Sequence, residues 1–268
     1  MSALDELKPR LFMPGRIVLS ALPDGLDAMV LPEIALAAGA SGLMHVCRDD
    51  QHMAALEDQI LYFAPTLEVL RFPAWDCLPY DRVSPSADIL ARRLAVLARL
   101  VKPTTGKPFI LLTTVNAILQ RTVPQSLISQ GTFTAQPGQR VKGDHLQKFL
   151  IDNGFSRVGT VVDPGDFAVR GGLIDIYPPG SNDPVRLDFF GDTLESIRSF
   201  DAQSQRSISQ LKILVMHPAN EVLLNAASIA SFRSGYAEAF DGMDMNDPLY
   251  ESVTSARRYQ GMEHWLPL

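Results

Sequence analysis

Cysteine is scarce in this 268-residue chain: Cys47 and Cys77 are the only two. That is too few to staple a small domain, so a disulfide framework is excluded and both read as reduced, mostly buried thiols of a cytoplasmic protein. Positive charge is also short, with 24 Lys and Arg against 30 Asp and Glu and a formal net charge of −6. Neutralising phosphates takes clustered cations, and these are scattered, which argues against a general nucleic-acid-binding surface. Long apolar runs are missing too. The longest, Ala28 to Cys47, is broken by Pro32, Glu33 and glycines, so no membrane span is expected. The opening Met-Ser-Ala-Leu-Asp-Glu-Leu-Lys lacks a basic region followed by an apolar one, so no signal peptide is expected. Internal repeats and low-complexity tracts are absent as well.

What remains is an ordinary globular composition, 46% hydrophobic and 20% charged. The length exceeds the usual span of one core, so two or three domains are expected. From residue 16 to about 125 the hydrophobic period switches between that of strands and that of helices. Strands are predicted at Arg16–Ser20, Gly42–Cys47, Leu67–Arg71 and Pro108–Thr114. Helices are predicted at Asp27–Ala38, Gln51–Phe63 and Ala87–Leu100, the last capped by Ser84 or Ser86. This alternation predicts a doubly wound α/β layer with a mostly parallel sheet.

After Val123-Pro124 the pattern changes to short β runs, one helix at Gly143–Asn153, and turn pairs such as Gly171-Gly172 and Gly191-Asp192. A small β-rich α+β module is expected at 131–215, with Gly191-Asp192 closing a hairpin between Val185–Phe190 and Thr193–Phe200. A third region, 216–268, carries one helical pattern from Ala226 to Phe240 and then turns irregular and acidic. It stops without a closing element, which reads as a fragment of something longer.

Catalytic chemistry is hard to find. The slot where a phosphate loop would stand, Ala21-Leu-Pro-Asp-Gly-Leu-Asp27, has no lysine and two acids that repel phosphate. Thr104-Thr-Gly-Lys-Pro108 has the flavour of a loop tail, but it precedes a strand and lacks the first glycine and the final hydroxyl residue. Asp49-Asp50 reads as a helix N-cap before Gln51 rather than a magnesium holder. His45, His52, His145, His217 and His264 lack metal-ligand spacing. Asp76 and Asp81, in the loop Trp75-Asp-Cys-Leu-Pro-Tyr-Asp81, suit structural turn duty. The site is thus read as degenerate, with no cofactor and no metal.

Surfaces remain. Strict alternation in Val185–Phe190 sets Arg186, Asp188 and Phe190 on the face opposite Val185, Leu187 and Phe189. Arg170 ends the predicted strand Phe167–Arg170 on the face opposite Phe167 and Val169. Arginine and aromatic side chains are the usual anchors of a protein interface. The pattern leaves two arrangements open. Either Phe190 tucks into the core and the arginines pair with Asp188 or Asp166, which is the commoner case, or the three form an open docking face.

The chain carries Phe72-Pro-Ala-Trp-Asp-Cys-Leu-Pro-Tyr-Asp81, Ser84-Pro85, Asp88-Ile89 and Arg93-Leu94. Gly165-Asp-Phe-Ala-Val-Arg-Gly-Gly-Leu-Ile-Asp-Ile-Tyr-Pro178 and Arg186-Leu-Asp-Phe-Phe190 follow, then Ser196-Ile-Arg-Ser-Phe-Asp201 and Ser204-Gln-Arg206. In this order, from about residue 16 onward, they resemble the N-terminal region of the bacterial transcription-repair-coupling factor family (Mfd). A more distant likeness extends to the UvrB subunit of the excision nuclease. The resemblance implies a 1A-like α/β domain at 1–130, a second domain at 131–215 that binds the nuclease subunit UvrA, and a 1B-like region at 216–268. It implies interface roles for Arg170, Arg186 and Phe190, and so favours the open face. Contacts with RNA polymerase and DNA, and an ATP- and magnesium-dependent DNA translocase that displaces the polymerase, are implied for C-terminal regions absent here. In this family a C-terminal domain is thought to cover the docking face until the motor engages, so a chain without it is expected to bind UvrA constitutively.

Two departures stand out: the ATP-binding loop of UvrB is missing, and its damage-probing hairpin is replaced by the short Leu78-to-Ser86 loop. The resemblance thus implies a non-catalytic adaptor that recruits UvrA to polymerase stalled at DNA lesions. A nucleotide-binding or DNA-binding α/β module is the alternative.

Overall fold

The computed structural model describes residue 9 and residues 13–20, 23–78, 81–101, 106–240 and 247–265. The two loop segments tested for a phosphate site, 21–27 and 104–108, lie partly outside these residues, as do Pro79 and Tyr80 of the aromatic-rich loop. In chain order the first elements are α1 (Asp27–Ala38), β1 (Leu43–Cys47), α2 (Asp50–Phe63), β2 (Glu68–Phe72), α3 (Ala87–Val101), β3 (Phe109–Thr114) and the single turn α4 (Val115–Ile118). Next come α5 (Gln125–Gln130), β4 (Phe133–Ala135), α6 (Gly143–Asp152), β5 (Ser156–Arg157), β6 (Asp166–Arg170), β7 (Leu173–Ile176), β8 (Val185–Phe190), β9 (Thr193–Phe200), β10 (Ser207–Leu211), β11 (Leu214–Met216), α7 (Ala226–Ala239) and α8 (Pro248–Thr254).

These elements form two compact units, one drawn from residues 1–74 and 102–120, the other from 75–101 and 121–268. In the first unit β1, β3 and β2 make a parallel sheet in that order. Sequential strands β1 and β2 are therefore separated by β3, which fits the expected α/β class. Helices α1 and α2 bury one stripe each, Ala28, Leu31 and Ala35 against Met53, Leu56 and Ile60, and both close over Cys47, Ile110 and Leu112 of the sheet. Asp49 caps α2 by accepting the His52 amide at 2.7 Å, the N-cap role its position suggested. The strand expected at Arg16–Ser20 does not form. That segment has no ladder partner among the described residues, and Ile17, Val18 and Leu19 are exposed. β-propensity acts only where a neighbouring strand and a core receive the residues.

In the second unit β10-β9-β8-β7-β6-β5 form a six-stranded sheet, antiparallel apart from the β5–β6 pair. Strands β4 and β11, near the two ends of the expected 131–215 module, pair with each other. Helix α6 presses Leu146 and Leu150 onto Phe167, Ile174, Ile176, Leu187, Leu194 and Ile197. The hairpin between β8 and β9 turns at Gly191-Asp192 as expected. Of these two residues only Gly191 has positive φ, +58°, as a type II′ turn requires. Beyond 216, α7 matches the predicted helical pattern, but α8 was not anticipated. Its start is a local signal: Asp247 accepts the amides of Leu249 and Tyr250 at 2.8 and 3.0 Å, with Pro248 in the first turn.

The unit boundary departs from the expected 1–130 segment, because 75–101 and 121–130 group with the second unit. A buried ion pair gives the reason. Arg93 of α3 is fully buried and donates through Nε to Oε1 of Glu221, itself 1% exposed, and through a terminal nitrogen to Oε2 at 3.3 Å. Trp75 Nε1 donates to the same carboxylate at 3.4 Å, and the Arg93 guanidinium lies 5.5 Å from the Trp75 ring centroid. Ser84 donates to Glu263 at 2.7 Å, and Asn220 donates to the other oxygen of that buried acid at 3.3 Å. Asp76 accepts the Ser86 amide at 2.9 Å, so the aromatic-rich loop does serve as structure. Burial alone would raise the Asp76 carboxyl, and the hydrogen bonds from Ser86 more than offset that, leaving it below the ordinary carboxylate range.

Removing one member of a buried pair strands the other charge, which costs about 3–5 kcal/mol. Glu221→Ala is therefore expected to lower the urea midpoint of the second unit sharply. Both tryptophans, Trp75 and Trp265, lie in that unit, so fluorescence follows it alone. An unchanged midpoint would refute the clamp. The thiols give a second test. Burial, with Asp27, Asp49 and Asp50 nearby, pushes the Cys47 thiol up to about 11, and the residue is 1% exposed, whereas Cys77 is half-buried. Iodoacetamide at pH 8 should modify Cys77 well before Cys47, with Cys47 reacting only on unfolding. Peptide mass spectrometry reads the order.

Candidate partner-docking face

The site is built by pairing register. Arg186 stands opposite Asp175 of β7 and Arg198 of β9; Asp188 stands opposite Leu173 and Ser196; Arg170 stands opposite Leu173; Phe190 stands opposite Thr193 at the hairpin end. Arg170, Leu173 and Asp188 thus form one cross-strand row, with Arg186 two residues to one side along β8 and Phe190 two to the other. The three residues expected to form the site share one face of one sheet. Val185, Leu187 and Phe189 turn the other way into the core, as alternation predicts. Gly172 lets β8 approach closely, for it accepts the Phe189 amide at 2.8 Å, and a Cβ there would lie 2.8 Å from the Phe189 carbonyl oxygen.

Phe190 is 77% exposed, so its ring is not tucked into the core. Arg170 is exposed and donates from one terminal nitrogen to the Gly159 carbonyl at 2.6 Å and to the Thr160 hydroxyl at 2.9 Å. These contacts hold one terminal nitrogen of the guanidinium, while its other donors have no partner among the described residues. Arg186 differs. Its guanidinium forms a two-pronged bond with Asp175, Nε to Oδ1 at 2.7 Å and a terminal nitrogen to Oδ2 at 2.8 Å, and its carbon sits 4.8 Å from the Phe200 ring centroid. The hydrogen bonds that Arg186 donates to Asp175 raise its pKa further above the ordinary value, outweighing burial, so it stays charged at any accessible pH. Its side chain is 18% exposed, and Asp175 is almost fully buried.

The local partner of Arg186 is therefore Asp175, where Asp188 or Asp166 had been the local candidates. Asp188 instead receives Arg198 at 2.9 Å. Three residues that shape this face escaped sequence reasoning: Asp175, Arg198 and Phe200. The last closes a small apolar cluster with Val161 and Ala168 over one end of the face, leaving the Phe190 end open. Only the β7–β8 register identifies Asp175, and the turn pair Pro179-Gly180 in the long connection 177–184 marks a turn without setting that register. Among the described residues no group of His, Cys, Asp and Glu could hold a metal ion, and no helix is long and apolar enough to cross a membrane.

Residues 133–222, which contain this face, match the family model described as the UvrB interaction domain. The chain is 33% identical over 251 residues to the transcription-repair-coupling factor of Escherichia coli (strain K12), covering 94% of this chain and 21% of that protein. It is 33% identical over 223 residues to that of Rickettsia bellii (strain RML369-C), covering 83% and 20%, and 36% identical over 220 residues to that of Rickettsia prowazekii (strain Madrid E), covering 82% and 19%. The chain is a relative of the transcription-repair-coupling factors. The resemblance first carried by its motifs is thereby borne out, and the chain spans about a fifth of the length of these curated relatives.

The differing burial of the three residues separates folding from surface roles. Arg186→Ala strands the buried Asp175 carboxylate and should cost about 3 kcal/mol. Phe190→Ala removes an exposed ring and should change stability by less than about 0.5 kcal/mol. Urea titrations of both variants decide this. Equal losses would mean that Phe190 is part of the core or that the Arg186 pair is not.

Proposed function

We propose that this chain is a non-catalytic adaptor whose six-stranded sheet docks UvrA through the face bearing Arg170, Arg186 and Phe190. The observation that carries the proposal is an exposed phenylalanine and an exposed arginine on the same sheet face, within the segment matching the UvrB interaction domain. Phe190 would enter an apolar pocket on the partner. Arg170 would present its remaining donors to an acidic group, and Arg186, held in place by Asp175, would present its exposed edge. In the whole protein, docking of UvrA would bring damage recognition to an RNA polymerase stalled at a lesion. The ATP-driven motor on DNA would then be supplied by the part of the relatives beyond this chain. The chemistry of the first unit supports a role without catalysis, since its phosphate-loop slot carries acids and no lysine.

Truncating an interface anchor costs about 2 kcal/mol or more, about 30-fold in affinity. Phe190→Ala is expected to weaken binding to immobilised UvrA by that factor, with stability intact, and Arg170→Ala to weaken it less. Unchanged affinity for the Phe190 variant would refute the docking face. Heat on titrating the chain with ATP and magnesium would instead revive nucleotide binding.

A further inference from the structure

The first unit carries a second surface, unrelated to the sheet face above. Helix α1 is apolar nearly all round, Asp27 and Glu33 being its only charged residues, yet it covers the sheet with one stripe only. Met29, on its outer side, is 48% exposed. On α2 the last turn shows the same surplus: Tyr62 is 81% and Phe63 50% exposed, their rings in edge-to-face contact with centroids 5.2 Å apart. The start of α1 and the end of α2 border an open, shallow cleft of about 610 Å³ whose apolar wall is Leu26, Met29, Tyr62 and Phe63. Asp24 and Asp58 stand at its rim, and no cation lines it. Neither acid has an ion-pair partner among the described residues. Asp58 and Tyr62 are one helical turn apart on α2, so a carboxylate and a ring sit together.

An aromatic and thioether wall bordered by two carboxylates, neither ion-paired among the described residues, has a definite complement. We propose that this cleft docks a basic amphipathic helix of a partner protein, one that inserts leucine-like side chains between Met29 and Tyr62 and directs lysine or arginine to Asp24 and Asp58. The sign of the rim decides between partners. An acidic helix would be repelled, and a second copy of this chain, with net charge −6 and the same acids on the facing patch, would meet like charge.

A labelled synthetic amphipathic helix of leucine and lysine, and its leucine and glutamate counterpart, provide the probes, followed by fluorescence anisotropy on the full chain. The basic helix should bind and shift the Met29 methyl signal, assigned by Met29→Leu, while the acidic one binds at least about tenfold more weakly. Asp24→Lys with Asp58→Lys should reverse that preference, and Tyr62→Ser should abolish binding of the basic helix; all three positions are on the surface, and circular dichroism checks the fold. Equal binding of both helices, indifference to the charge reversal, or a Met29 signal that does not move would overturn the proposal. So would concentration-dependent sedimentation of the free chain abolished by Tyr62→Ser, which would make a second copy the occupant. UvrA affinity should be unaffected by these variants, so this result stands or falls separately from the sheet face.

Discussion

A carboxylate taken out of water must find a cation, and the outer face of the six-stranded sheet is organised by that constraint at Asp175. Its neighbour across the ladder is Arg186, close enough for two parallel hydrogen bonds. Once Arg186 is engaged, Arg198 is left to the next acid along β8, Asp188. The two pairs keep adjacent arginines on β8 and β9 from facing each other uncompensated. What they leave over is Phe190, beyond Asp188 along β8, and Arg170, level with Asp188 on β6, which has no ion-pair partner among the described residues. The open part of the surface is the remainder after the local electrostatics have been satisfied.

The same rule operates on a larger scale in the second unit. Glu221 and Glu263 lie far along the chain from the aromatic-rich loop, and their burial obliges Arg93, Trp75, Ser84 and Asn220 to converge on them. Helix α3 and the loop before it are thereby bound to the segment after β11. A stretch of sequence that looks like a connection within the α/β layer becomes part of the neighbouring unit. The family likeness in Phe72–Asp81 and Ser84–Leu94 thus coincides with residues that hold a unit together, while that in Gly165–Pro178 and Arg186–Phe190 coincides with a face and its supports.

Much of this was legible beforehand where a local rule decides. The expected bounds of α1 match the observed ones, and those of α2, α3 and α6 agree within a residue or so, because a helix-length hydrophobic pattern is contained in the segment itself and, for α2, so is the Asp49 cap. The β8–β9 hairpin is legible because Gly191-Asp192 sets its first two pairs within the same short stretch, while the one-residue register shift between Asp188 and Phe189, which brings Arg198 opposite Arg186, has no such local signal. Arg16–Ser20 misled because its alternation speaks only of strand potential. A strand exists by virtue of a partner, and none is present there among the described residues. Helix α8 has only the Asp247-Pro248 start signal to mark it, in an acidic stretch and over seven residues too short to show a helical period.

For the candidate site, alternation alone determined that Arg186 and Phe190 share a face and that Leu187 and Phe189 oppose it, because the side-chain period of a strand is a property of its own backbone. Whether those side chains are free could not be decided in the same way. Exposure and pairing depend on which residues lie across the ladder and over the face, and these come from β7, β9 and the loop at 158–165. Tertiary structure therefore decided that Phe190 stands in solvent, that Arg186 is committed to Asp175, and that α3 belongs to the second unit. Each is a relation between residues that only folding brings within bonding distance.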